Sequence, residues 1–270
     1  MKLAINEATT MPRSFEEDVA AYSAAGFQAI ELWLDKVKKF LANHSVKDAQ
    51  KLLSDNGLKA VGGCAHGGVM LSRGEQRETN LADLRAKLEI CQALDAPVLV
   101  VCTDFPQGNV GPEDYDHAAQ GLAGAADIAA PYKVALAVEF IKGAKLVGTL
   151  RTALNVTRKT GKKNVGILFD TFHFYAGVSK LEDIAEMKKG ELLLVHLNDM
   201  APIPIEIAQD RDRVLPGNGV LPLKEIIKAI SRTGYDGYYS VELFSEALWQ
   251  KDPKETARLA LEKSKAVLKA

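Results

Sequence analysis

Val165-Gly166-Ile167-Leu168-Phe169-Asp170-Thr171-Phe172-His173 is an apolar run that ends on a carboxylate, with an imidazole three residues later. It reads as a buried strand with Asp170 at its mouth. Three more apolar runs end in the same way. Val134 to Phe140 (VALAVEF) carries Glu139, Leu192 to Asp199 (LLLVHLND) carries His196, and Tyr238 to Phe244 (YYSVELF) carries Glu242.

Outward from these runs, strand-like and helix-like segments alternate without a break. Upstream strands are expected at Lys2 to Ala8, Gln28 to Leu34, Lys59 to Ala65 and Pro97 to Thr103. The first helix opens on Ser14 with Glu17 three residues on, a capping box, and stops at Gly26. Further helices are expected over 45–56, 76–94, 112–131 and 149–160. Another, capped by Ser179 and Glu182, ends at Gly190. After an irregular loop from Met200 to Leu221, Leu223, Ile226, Ile227 and Ile230 mark one helix face, closed by Gly234. Asp252 caps the last helix, with Pro253 at its first position.

Eight strand–helix units in 270 residues fit a (β/α)8 barrel, an α/β fold in a single domain over 1–270. A doubly wound sheet would usually carry a glycine-rich phosphate loop, and neither GxGxxG nor a P-loop follows the first strand. Strand parity supports the barrel. With Glu139 inward, Ala137 and Ala135 also face in; with Asp170 inward, so do Leu168 and Gly166. The larger Val138, Leu136, Phe169 and Ile167 then face the helices.

Composition narrows the function classes. Hydrophobic residues are 47%, charged residues 26% and the formal net charge is -1, which argues against a dedicated nucleic-acid binder. No apolar run has membrane-spanning length, and MKLAINEATT starts with strand polarity rather than a leader's pattern. Cys64, Cys91 and Cys102 are odd in number and lack CxxC spacing, so a reducing cytoplasm is the expected setting.

In a barrel, catalytic groups gather at the C-terminal mouth from several strands. Glu139, Asp170, His196 and Glu242 would meet there, and the three carboxylates need a neutralising charge. One divalent metal ion supplies it. Three oxygens and one imidazole suit Mn2+ or Mg2+ with open positions, with Mn2+ the expected ion and Co2+ and Zn2+ also compatible. His173, just past its strand, and Arg213, in the long seventh loop, are expected to contact substrate, as is His66 after strand three. Glu31 and Trp33, at the end of strand two, are expected in the pocket wall with Asn6. His44 and His117 read as surface residues, and Cys64 and Cys102 as packed barrel residues.

The stretches KLAINEATT, VEF, FDTFHF, VHLND, DRDRVLPGNG and SVELF resemble the xylose-isomerase-like TIM barrel superfamily of sugar isomerases and epimerases. Within it they are similar to the inosose isomerases of inositol catabolism. The resemblance covers nearly the whole chain. It implies a metal held by Glu139, Asp170, His196 and Glu242, with His173 and Arg213 on the substrate. It also implies Glu139 and Glu242 as the catalytic pair, on opposite sides of the reacting carbon of a keto-sugar or keto-inositol. One would remove the proton alpha to the carbonyl, giving a cis-enediolate, for isomerisation or epimerisation. The departure lies at Gly62-Gly63-Cys64-Ala65-His66-Gly67-Gly68, where the subfamily leads one to expect larger apolar residues. An alternative on the same ligands is a lyase or dehydratase acting on inosose or a 3-keto glycoside. A nuclease of this fold would need more histidines than the five present and a basic face. A non-catalytic sugar binder would not need both glutamates. The expected partner is the small-molecule substrate, with no nucleic acid and no membrane; a homo-oligomer paired through helices is compatible with the sequence.

Overall fold

The computed structural model describes residues 1–269. Eight strands form a closed barrel: β1 Lys2–Asn6, β2 Ala29–Trp33, β3 Lys59–His66, β4 Val98–Cys102, β5 Ala135–Glu139, β6 Val165–Asp170, β7 Leu192–Leu197 and β8 Tyr238–Val241. Each pairs in parallel with its sequence neighbours, and β1 closes on β8. Parallel strands of this kind need cover on both faces. The helices wrap the outside, and the interior fills with side chains from alternate strand positions.

The parity expectation holds at the packed positions. Ala137 and Leu168 lie in an interior cluster with Cys64, Val98, Val100 and Leu194. Ala4, Ala29 and Val61 form a second small cluster with Tyr238 against it. Leu136, Val138, Ile167 and Phe169 belong instead to the large strand–helix core. Gly166 is dictated by close approach: a Cβ there would come within 2.5 Å of the Glu191 carbonyl oxygen.

Local signals explain most element ends. Ser14 and Glu17 form the capping box, and Gly26, at φ 95°, ends helix Phe15–Ala25 in the left-handed conformation. Asp252 accepts the N–H groups of Lys254 and Glu255 at the start of helix Pro253–Lys269. Ser179 is not a cap. Its hydroxyl accepts the Leu150 N–H at 3.0 Å, and Asp183 receives the Lys180 N–H where helix Leu181–Ala185 begins.

Several strands are shorter than their apolar runs, whereas β3 extends to His66. β1 gives way to a 3-10 turn at Glu7–Thr10. β2 runs straight into helix Leu34–Leu41, which the apolar pattern around Leu34 conceals. β7 ends at Leu197, and Asp199–Met200 pairs antiparallel with Arg213–Val214. The seventh loop is thus not wholly irregular: this two-residue ladder folds it back over the barrel. Among the described residues no helix is long and apolar enough to cross a membrane.

Candidate metal centre

Register brings the polar strand ends together. Cys102 lies beside Glu139, and Asp170 beside His196. Glu242 follows the last residue of β8, whose Ser240 lies beside His196. Ligand atoms of Glu139, Asp170, His196 and Glu242 all fall within 4.8 Å of one another, and all four residues are buried. His196 sits at the centre. Its Nδ1 is 3.0 Å from Glu242 Oε2, 3.5 Å from Glu139 Oε1 and 3.8 Å from Asp170 Oδ2.

The tautomer of His196 follows from its other nitrogen. Nε2 lies 2.9 Å and 3.1 Å from the two oxygens of Glu31. An ionised carboxylate only accepts, so Nε2 carries a proton and a neutral ring presents its lone pair at Nδ1. Nδ1 is buried and lacks a hydrogen-bond partner. Burial works against a charged ring, yet the carboxylates of Glu242 and Glu31 raise His196 well above its ordinary value. Burial likewise works against ionised Glu242, but His196 and Arg213 bring it down to about 2. Four carboxylates face one guanidinium and one imidazole, so even a protonated His196 leaves negative charge in excess. An orphaned imidazole nitrogen aimed at three carboxylate oxygens fits a divalent cation.

Each ligand is braced. Asp170 Oδ1 accepts the His173 N–H at 2.8 Å, capping helix Thr171–Ala176, and Oδ2 accepts Asn198 Nδ2 at 2.9 Å. Asn6 Nδ2 donates to Glu242 Oε1 at 3.3 Å. Cys64 and Cys102 reach Glu242 Oε1 and Glu139 Oε2, at 3.8 Å and 3.5 Å. Burial and the neighbouring carboxylates push both thiols well above their ordinary value, so they stay protonated donors.

Arg213 reaches Glu242 and Asp170 and is itself fully buried. Nη1 bonds Glu242 Oε2 at 2.5 Å and lies 3.1 Å from Asp170 Oδ2; Nη2 reaches His173 Nε2 at 3.0 Å and Asp210 Oδ1 at 3.0 Å. The guanidinium rests between the Phe172 and Phe244 rings, 5.2 Å from each centroid. Its Nε–H is buried without a partner.

The sequence expectations divide here. Glu139, Asp170, His196 and Glu242 meet, with His173 and Arg213 directly against them. Glu31 is fully buried, with both oxygens on His196. Trp33 stands at the rim, edge-on to Phe244 at 6.2 Å. His66 lies toward the outer helix Gly74–Ala93 through Nδ1, 3.2 Å from Asp83, while its buried Nε2 has no partner. Burial, then the nearby Lys87 ammonium, lowers His66 to about 4. His44 stacks on Phe40 and His117 pairs with Arg73, away from the ligands.

Other supports were unforeseen. Glu7 accepts the Trp33 N–H at 2.7 Å. Lys142 donates from Nζ to the Ile205 and Ala208 carbonyls and from its backbone N–H to His173 Nδ1, tying the β5 loop to the loop that carries Arg213. These depend on chain reversals in loops, and no local pattern in the sequence marks them.

The xylose isomerase-like TIM barrel family model matches residues 19–267. The inosose isomerase of Bacillus velezensis is 28% identical over 274 residues, covering 99% of this chain and 97% of that protein. The 3-dehydroshikimate dehydratase of Pseudomonas aeruginosa is 23% identical over 88% of this chain but only 36% of its own length. The crystal structure of the IolI protein with a bound zinc atom superposes with a TM-score of 0.94 at 26% identity, covering 99% of this chain and 98% of that one. Sequence, closed parallel barrel and ligand cluster agree: the chain belongs to the xylose isomerase-like TIM barrel family.

Proposed function

We propose that this protein is a divalent-metal-dependent isomerase or epimerase of a keto-inositol or keto-sugar. The observation that carries the reading is His196 Nδ1, buried, unpartnered and ringed by the oxygens of Glu139, Asp170 and Glu242. The full-length likeness to inosose isomerases supports an isomerase and points to inosose, a ketone of inositol. Those four residues would hold the ion, with Mn2+ our choice for a set of three oxygens and one nitrogen. When bound, such a cation polarises a carbonyl and offsets charge developing on its oxygen.

The chain's own groups do the rest. Glu139 and Glu242 approach His196 from strands on opposite sides of it, β5 and β8. One takes the proton alpha to the carbonyl, leaving a cis-enediolate, and a carboxyl group returns a proton to the neighbouring carbon or the other face. Arg213 and His173 bind substrate hydroxyls, and the free Nε–H of Arg213 is a donor such a hydroxyl would take. Trp33 and Phe244 supply an apolar wall at the rim.

The dehydratase relative favours a second reading on the same ligands, since water loss also begins with alpha-proton removal. Incubating the Mn2+-loaded protein with 2-keto-myo-inositol and separating the products decides between them. An isomeric keto-inositol is the expected product; a dehydrated product in its place establishes the second reading.

A further inference from the structure

We propose that Cys64 and Cys102 are positioning residues, their S–H groups holding the two site glutamates from the barrel interior. The inference rests on the reading of Glu139 and Glu242 as the proton-transfer pair. The thiols come from adjacent strands, β3 and β4, yet serve different glutamates. Cys102 Sγ is 3.5 Å from Glu139 Oε2 and Cys64 Sγ is 3.8 Å from Glu242 Oε1.

In both glutamates the thiol takes the oxygen that is turned away from the common centre. Glu139 Oε1 and Glu242 Oε2 are the atoms nearest His196 Nδ1; Glu139 Oε2 and Glu242 Oε1 are the atoms the thiols hold. A carboxylate swings freely about its last bond unless both oxygens are engaged. A thiol suits the second engagement. It is a weak donor, so it fixes direction without competing strongly for the carboxylate's charge. It also packs as a small hydrophobe, and Cys64 belongs to the apolar interior cluster.

The two sites differ in redundancy. Among the described residues, Asn6 and Arg213 also steady Glu242, whereas Glu139 has Cys102 and the His196 contact. Removing the thiol therefore acts more strongly at Cys102.

The first test needs no turnover. The S–H stretching band of Cys102, assigned by its loss in Cys102→Ala, is recorded in the full-length protein and in Glu139→Gln, with the buried Cys91 as reference. The proposal expects the band to rise in frequency when the carboxylate becomes the weaker amide acceptor. An unmoved band overturns it. The second test is kinetic. Cys102→Ala should lower kcat by about three- to tenfold with KM little changed, as expected for loss of one weak hydrogen bond to a charged group. Cys102→Ser should recover most of that loss and the nearly isosteric Cys102→Val should not. Equal rates in the serine and valine variants mean a packing role and overturn the proposal. If the wild type turns over no keto-inositol, the functional reading fails while the infrared test still decides the thiol contact.

Discussion

At the scale of single residues, the site depends on what stands behind its ligands. Glu31 sets which nitrogen of His196 faces the carboxylates. Removing a partner of this kind typically weakens metal binding by about 10- to 100-fold. Glu31→Gln keeps an acceptor but loses the charge, so titration calorimetry with Mn2+ should show a loss near the lower end of that range. Unchanged affinity would remove Glu31 from the account. His66 supplies a test of stability against pH. Its folded value of about 4 lies below the ordinary 6.5. Between those values the unfolded chain binds a proton that the folded chain does not, so stability falls as pH drops through the window. The shift is worth at most about 3 kcal/mol at full expression. His66→Gln should flatten the decline of Tm between neutral pH and about pH 4; parallel curves would show that His66 is not its source. Side-chain chemistry made the four clustered residues legible in the sequence, because a lone carboxylate or imidazole at the end of an apolar run is conspicuous. Glu31 was visible too, but a strand end does not say whether a carboxylate faces substrate or stands behind a histidine.

At the scale of elements, the glycine-rich third strand has a physical explanation in packing. A Cβ on Gly62 would press on Leu194 at 3.2 Å inside the barrel, and one on Gly63 would meet Cys91 Sγ at 2.8 Å outside it. The small residues admit neighbours on both faces. The loop beyond is held just as closely. Asp104 accepts the N–H groups of Gly68, Met70 and Leu71, and helix Pro112–Ala129 lies against the Val69 and Met70 carbonyls at Gly121. A Cβ on Gly121 would stand 2.5 Å from Val69 O. Helix propensity alone would make Gly121→Ala stabilising by about 1 kcal/mol. Overpacking against backbone costs about 1–3 kcal/mol and should win. Urea denaturation should therefore show net destabilisation; a more stable variant would mean that the loop yields freely. Strands and long helices were legible from periodicity and caps. Helices Leu34–Leu41 and Thr171–Ala176 were not, since each begins on the residue after its strand ends, with no intervening turn to mark the change.

At the scale of the whole molecule, eight parallel strands bring to one mouth residues as distant in sequence as Asn6 and Glu242. The unit count and strand parity were enough to read that architecture. What they could not supply is the cover. Arg213 is placed by the Asp199–Met200 and Arg213–Val214 ladder, and Lys142 clasps the same loop through two carbonyls. Such contacts form between loops that meet only once the barrel has closed. The proposed function requires that the Glu139, Asp170, His196 and Glu242 cluster move a proton alpha to a carbonyl. Proton NMR in D2O of the Mn2+-loaded protein with 2-keto-myo-inositol tests it most directly. Deuterium should enter beside the carbonyl as a new keto-inositol appears, with both lost in Glu242→Gln at saturating metal while Tm shows the fold retained. Exchange that persists undiminished in Glu242→Gln would contradict it.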